Sequence, residues 1–191
     1  KKFQIPLIGN HNIKNATAAI AVSYFIGISP NILRESLKYF KGVERRFNKI
    51  FSYNGADIYD DYAHHPTEIK EVINGVSNSF KNKKIACIFQ PHRISRVNDL
   101  KKDFCSSFKK ANSVILCPIY KAGESIKLKL NYYSFAKQIA KQSKVQVFFV
   151  NNQYELAKFL KLYLNAENIA IGMGAGSISS WIKELPSLMK T

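Results

Sequence analysis

Ala56-Asp57-Ile58-Tyr59-Asp60-Asp61-Tyr62-Ala63-His64-His65-Pro66 and Ile85-Ala86-Cys87-Ile88-Phe89-Gln90-Pro91-His92-Arg93-Ile94-Ser95-Arg96 are two versions of one pattern. Each is an apolar, strand-like run that ends in reactive polar side chains and then opens a helix-like stretch. Open parallel sheets bind ligands outside the carboxyl ends of their strands, and both clusters fall there. Three of the four histidines (His64, His65, His92) sit in these segments. Among 29 Lys and Arg residues only five are arginine, and Arg93 and Arg96 are two of them, with Arg45 and Arg46 two more. A lysine-rich chain that places arginine so sparingly points to a need for its planar fork, which grips carboxylate and phosphate bidentately.

Downstream of the first cluster the chain alternates. The spacing of Ile69, Val72, Ile73, Val76 and Phe80 predicts a helix over 66–80, with Pro66 at a permitted first-turn position. Strands are predicted at 84–89, 113–118, 145–150 and 168–173, and helices at 95–110, 133–142, 152–164 and 176–185. Val114-Ile115-Leu116-Cys117 and Val147-Phe148-Phe149-Val150 are continuous apolar runs, as a parallel sheet covered on both faces requires. Upstream, residues 47–53 and 56–62 alternate around Asn54-Gly55, a hairpin signal. The fold class expected for 45–191 is therefore α/β, with a mostly parallel sheet between two helical layers.

Residues 1–42 read differently. A short strand is expected at 3–8, a helix at 12–26 and, after the Gly27-Ile28-Ser29-Pro30 break, a second helix at 31–40. Helix 12–26 is apolar on nearly every side (Ala16, Ala18, Ala19, Ile20, Ala21, Val22, Phe25), so burial is expected. One strand and two helices cannot bury that surface alone. The segment reads as the tail of another domain, and its start at Lys1 as a cut inside a longer protein.

At 191 residues with 46% hydrophobic content the chain can build a real core. No apolar run approaches a membrane span, so no membrane partner is expected. The net charge of +16 invites a nucleic-acid reading. The lysines are scattered, however, with Lys81, Lys83 and Lys84 the longest cluster, and no basic stripe interleaves with aromatics. A small anionic ligand fits better. Cys87, Cys105 and Cys117 lack metal-ligand spacing and read as buried free thiols in a reducing cytoplasm.

Each constellation has two readings. His92, Arg93 and Arg96 bracket a predicted helix start, which makes either an anion site or a solvated basic turn. Asn12 and Asn15 lie one helical turn apart and either read a base edge or begin a helix. His64 and His65 diverge at a strand end and are poor joint ligands for zinc. Asp60 and Asp61 also diverge, and one of them should face the crevice, where a carboxylate suits sugar hydroxyls. Gly172-Met173-Gly174-Ala175-Gly176 suits a tight strand-to-helix turn better than a dinucleotide loop, because no strand with a ribose-binding acid can follow it.

Five segments taken together carry a resemblance. They are Gly9-Asn10-His11-Asn12 with Asn15-Ala16 and Ala18-Ala19, Arg45-Arg46-Phe47, Asp60 through Glu68, Phe89 through Arg93, and Gly174-Ala175-Gly176. In this order they resemble the C-terminal part of the Mur ligases of peptidoglycan synthesis. The resemblance implies residues 1–42 as the C-terminal tail of a central ATPase domain and 45–191 as a Rossmann-like, amino-acid-binding third domain. It implies ATP and Mg²⁺ as cofactors, with the metal ligands and the Gly-rich phosphate loop in the missing part of the central domain. Partners would be UDP-N-acetylmuramate, the missing N-terminal and central domains, and L-alanine, since Gln90-Pro91-His92-Arg93 followed by Arg96 resembles the L-alanine-adding member of the family more than its siblings.

The implied reaction is ATP-driven amide formation in the cytoplasm through an acyl phosphate, and the fragment alone is expected to be inactive. By the same resemblance Asn12 and Asn15 hold adenine, Arg46 approaches the phosphates and Asp61 the ribose. Tyr62, His64, Arg93 and Arg96 surround the amino acid and the reacting carboxylate, with His64, Arg93 and Arg96 as the catalytic set. The competing readings are a sibling ligase that reattaches a recycled tripeptide, a basic non-catalytic α/β binding module, and a stand-alone partner-binding domain.

Overall fold

The two-residue turn at Asn54 and Gly55 sets the first pairing of the sheet. Both residues take positive φ, 48° and 76°, the left-handed region that a tight hairpin of the right twist demands. They join β1 (Asn48–Tyr53) to β2 (Ala56–Asp61) in antiparallel register, Tyr53 opposite Ala56 and Asn48 opposite Asp60. The computed structural model describes residues 2–125 and 129–190.

After β2 come α3 (Pro66–Ser79), β3 (Lys84–Phe89), α4 (Ile94–Asp99), α5 (Lys101–Ser106), β4 (Ser113–Leu116), α6 (Tyr132–Ser143), β5 (Gln146–Phe149), α7 (Gln153–Tyr163), β6 (Asn168–Met173) and α8 (Ile178–Met189). The sheet order is β1-β2-β6-β3-β4-β5, and all pairs except β1 with β2 are parallel. The expected α/β class with a mostly parallel sheet is what forms.

Handedness explains the layers. The chain steps from β2 to β3, β4 and β5 in one direction, and its crossovers bury Ile69, Ile73, Val97, Phe104, Phe108, Phe135 and Ile139 on one face. It then returns to insert β6 between β2 and β3, and α7 and α8 bury Leu156, Leu160, Ile178, Ile182 and Leu185 on the other. Right-handed crossovers require the opposite face when the direction reverses. The reversal leaves a crevice where the ends of β2, β6 and β3 meet, because their outgoing loops part to opposite sides. Gly172 on β6 lets α8 sit close: a Cβ there would lie 2.5 Å from Ile182 Cγ1.

Three expectations are corrected. Residues 3–8 form no strand. An extended segment becomes a strand only with a ladder partner, none lies beside it among the described residues, and Pro6 lacks an N–H. The helix expected at 95–110 is two short helices broken at Leu100 (φ −109°, ψ 22°). It ends early because Ser106 and Ser107 turn their hydroxyls back onto the Asp103 carbonyl, at 3.0 and 2.7 Å.

The third concerns α1 (Asn10–Phe25), which has no buried residue. Val22, Phe25 and Ile26 stand 63%, 90% and 69% exposed. Among the described residues its main packing partners are α2 (Pro30–Lys38) and α3. The break before α2 behaves as read: Gly27 has φ 96°, the Ser29 hydroxyl accepts from the Ile32 amide, and Pro30 opens the helix.

Candidate functional site

The site is built at the ends of β2, β3 and β6. Strand alternation sends Asp60 and Asp61 to opposite faces. Asp60 accepts from the Ser179 hydroxyl at 2.5 Å on the α8 side. Asp61, 2% exposed, accepts from the Phe47 amide at 2.8 Å and the Ala63 amide at 2.7 Å. Burial pushes the Asp61 carboxyl up to about 6, and the two amides with Arg46 only partly offset it. The Arg45-Arg46-Phe47 segment is bound to this strand end. Arg45 and Phe47 both have positive φ, 58° and 53°, a costly conformation for non-glycine residues that clusters at functional sites. It is held by the Tyr62 amide, which donates to the Arg45 carbonyl at 2.7 Å, and by the Phe47–Asp61 bond.

Beside this corner lies a cavity of about 730 Å³ between residues 5–43 and the C-terminal unit. Asn12, Asn15, Arg46 and Asp61 all line it, with His11, Phe47, Glu68 and Glu71. The structure thus brings together the four residues expected from sequence to hold a nucleotide. The volume lies within the range of small-ligand pockets. The Asn12 amide nitrogen is occupied by the Ile8 carbonyl at 2.7 Å, which leaves its oxygen as the acceptor. Gly75 admits the N-terminal segment, since a Cβ there would lie 3.1 Å from Gly9 Cα. Burial lowers His11 below its ordinary value, and Arg46 adds to the effect.

The other set adjoins this one. The Arg45 guanidinium lies 4.6 Å and that of Arg46 5.8 Å from the Tyr62 ring. Tyr62 meets His64 edge-on at 5.0 Å, and His64 meets His92 at 5.8 Å. Arg96 approaches His92 Nδ1 at 3.3 Å. His64 Nδ1 lies 2.9 Å from the Tyr62 carbonyl. A carbonyl can only accept, so Nδ1 carries a proton, and in the neutral ring the lone pair would then lie on Nε2. Burial, then Arg96, His64 and Arg93, lower His92, which favours a neutral ring that accepts from Arg96.

His65 turns away to cap α3, where its ring accepts from the Thr67 amide and Glu68 completes a capping box. Burial alone would raise Glu68, but the His64 and His65 amides, His64 itself and Arg46 hold it below the ordinary carboxylate range. Arg93 lies exposed at the N-cap of α4, with φ 68°.

Two readings of turns are resolved. The start of α4 had two readings, an anion site or a solvated basic turn, and a carboxylate of the chain itself lies on it: Glu124 accepts from the Ile94 and Ser95 amides and from the Ser95 hydroxyl. Gly174–Gly176 make the tight turn from β6 into α8. Gly174 has φ 152°, and a Cβ there would lie 2.8 Å from the Gln90 carbonyl. The Gln90 side chain accepts from the Ile178 amide and donates to the Ser177 hydroxyl, both at 3.0 Å. Sequence reasoning missed Glu124 and Tyr120. One signal was available: Glu124 is the only acid between Asp103 and Glu155, directly after a glycine.

Among the described residues no group of three or more His, Cys, Asp or Glu is placed to hold a metal ion, and no helix is long and apolar enough to cross a membrane. The three cysteines are buried and unpaired, with burial raising each thiol.

A mostly parallel sheet with polar side chains gathered at one strand-end crevice, beside a cavity of small-ligand size, defines a Rossmann-like α/β ligand-binding domain. The chain belongs to the Mur ligase family: the model of the Mur ligase glutamate ligase domain matches residues 45–176. Over 189 residues the chain is 60% identical to UDP-N-acetylmuramate–L-alanine ligase of Pelagibacter ubique, covering 99% of this chain and 41% of that protein. The ligase of the same name from Bartonella tribocorum is 37% identical over 186 residues, 97% of this chain and 39% of that protein. The crystal structure of UDP-N-acetylmuramate-alanine ligase MurC from Thermotoga maritima superposes with a TM-score of 0.80 at 27% identity, over 98% of this chain and 40% of that one. A murein peptide ligase from Psychrobacter arcticus shares the fold, with a TM-score of 0.69 at 21% identity, over 98% of this chain and 38% of that one. The chain spans about two fifths of the length of the curated relatives it matches.

Proposed function

We propose that this chain is the C-terminal part of an ATP-dependent ligase that joins L-alanine to UDP-N-acetylmuramate through an acyl phosphate. Residues 1–42 are then the end of its central ATP-binding domain and 45–191 its amino-acid-binding domain. The observation that carries the reading is spatial. Asn12, Asn15, Arg46 and Asp61 share one cavity, while Tyr62, His64, His92 and Arg96 form a contact chain beginning one residue along from Asp61.

In this reading the asparagines read the adenine edge. Asp61 keeps lone pairs for ribose hydroxyls after accepting two amides, because an ionised carboxylate has about four acceptor positions. ATP supplies the phosphoryl group that activates the muramate carboxylate, and Mg²⁺ is held by residues outside this chain. Arg46 balances charge near the phosphates. Arg93 and Arg96 take the alanine carboxylate, and the free Nε2 of His64 accepts the proton its ammonium must shed before attack. The catalysis is mostly positioning and charge neutralisation. A cytoplasmic setting agrees with three buried, unpaired cysteines.

The test is phosphate release by the full-length enzyme with ATP, Mg²⁺ and UDP-N-acetylmuramate. Release that depends on L-alanine is expected. Release that depends instead on a preformed tripeptide would overturn the assignment in favour of the recycling ligase.

A further inference from the structure

The turn that presents Arg93 and Arg96 does not hold its own shape. The helix α4 has six residues and no side-chain cap of its own, and its N-cap Arg93 takes a left-handed φ of 68°. The first amides at such a start lack intrahelical partners. A loop thirty residues further along supplies what is missing. Glu124 Oε2 accepts from the Ile94 amide at 2.5 Å and the Ser95 amide at 3.3 Å, and its Oε1 accepts from the Ser95 hydroxyl.

The same loop grips the turn from its other side. The Tyr120 amide donates to the Pro91 carbonyl at 2.8 Å, and the Arg93 amide donates to the Tyr120 carbonyl at 2.9 Å. The Tyr120 ring stacks on His92 at 5.5 Å with 18° between planes. Gly176 makes room for that ring, since a Cβ there would lie 2.5 Å from Tyr120 Cγ.

We infer that Glu124 is a positioning residue for the amino-acid half of the site, a built-in carboxylate that locks the Arg93–Arg96 turn and balances the charge of Arg93. This rests on the reading that Arg93 and Arg96 bind the amino-acid carboxylate. Both oxygens of Glu124 are engaged with the turn, which makes it a residue that acts through the arginines. The Ser95 hydroxyl, then the two amides and Arg93, hold its carboxyl below the ordinary range despite some burial, so it is ionised at neutral pH. An amide in its place keeps an acceptor for the backbone but loses the negative charge beside Arg93.

The experiment is steady-state kinetics of the full-length enzyme, varying L-alanine and ATP separately. Glu124→Ala should raise the KM for L-alanine by roughly tenfold, and Glu124→Gln by roughly threefold, because charge-assisted hydrogen bonds outweigh neutral ones. The KM for ATP should stay within about twofold in both. Glu155→Ala is the control: that acid caps a loop far along the chain, accepting from the Asn151 amide at 2.8 Å, and should leave both KM values unchanged. If Glu124→Ala fails to fold, Glu124→Gln carries the test. A fall in kcat with an unchanged KM for L-alanine in both variants would overturn the inference and leave Glu124 a purely structural cap. If Arg93→Ala and Arg96→Ala raise the KM for L-alanine while the Glu124 variants do not, the inference alone fails. If the arginine variants leave that KM unchanged, the underlying reading falls and takes this one with it.

Discussion

Asp61 should make the stability of this fold depend on pH in the direction opposite to most carboxylates. Its carboxyl is pushed up from 3.8 to about 6, chiefly by burial. Well below pH 4 it is protonated in both folded and unfolded chains. As the pH rises, the unfolded chain loses its proton first and the folded chain holds it until about pH 6. In that window the folded state binds more protons, so stability falls with rising pH, and the contribution is gone above about pH 6. A shift of about two units corresponds to about 3 kcal/mol at 1.36 kcal/mol per unit. Asp61→Asn removes the titration. Urea unfolding of the 191-residue chain and of the variant, between about pH 4 and 7, isolates it. The stability of the parent minus that of the variant should drop by about 2.5 kcal/mol across that range, because the unfolded carboxyl is already partly ionised at pH 4. Asp57, Glu68 and Glu124 are shifted downward and lose stability as pH falls, but they are common to both proteins and cancel. Parallel profiles, or a difference that grows with pH, would refute the claim that burial outweighs the two amide bonds at this carboxylate.

In the full-length enzyme Arg96→Lys keeps the charge and loses the fork, so kcat/KM for L-alanine should fall by roughly 1.5–3 kcal/mol with the ATP dependence little changed. Arg46→Lys should do the reverse, and an exchange of these two phenotypes would sink the division of the crevice. Gly172→Ala places a methyl 2.5 Å from Ile182 Cγ1 and should cost about 1–3 kcal/mol by overpacking; an unchanged urea midpoint would show that α8 can shift freely. Helix α1 buries no residue, so its amides should exchange hydrogen far faster than those of β3 in dilute solution, and equal protection in the two would contradict the packing seen here.

The sheet was legible because its strands are apolar runs of strand length separated by amphipathic helices. Residues 84–89 and 168–173 were placed to the residue, and Asn54-Gly55 fixed the hairpin. Residues 3–8 were misread because an extended apolar segment with a central proline looks like a strand until its pairing partner is sought. The 95–110 helix is broken although its apolar spacing continues through Leu100, and it ends early because Ser106 and Ser107 bond back to Asp103, which apolar spacing does not record. The burial of α1 was misjudged because composition reports what a helix needs to cover, not what is there to cover it. Arg93, Arg96 and His64 stood out by rarity of residue type. Glu124 did not, because its meaning lies in three bonds to a turn thirty residues away, which no local spacing records.

The narrowness of the site follows from the two-residue period of a strand. Asp61 closes β2 on the α3 face and lines the cavity, whereas Asp60 goes to the α8 face and meets Ser179 and Arg45. Tyr62 is the next residue and begins the chain of rings leading to His64 and His92. The proposed nucleotide and amino-acid halves are therefore separated by one peptide unit, about 3.8 Å between Cα atoms. The proposed reaction needs that closeness, because the carboxylate whose oxygen takes the phosphoryl group is the one whose carbon the amine then attacks, with phosphate leaving. Arg45 holds the junction rigid. It donates to the Gly174 carbonyl at 2.7 Å, lies 3.9 Å from Asp60 and covers the Tyr62 ring. It thus ties the ends of β2 and β6 together across the line where their outgoing loops part. The crevice stays open because the topology reverses there, and it keeps one shape because an arginine spans the reversal.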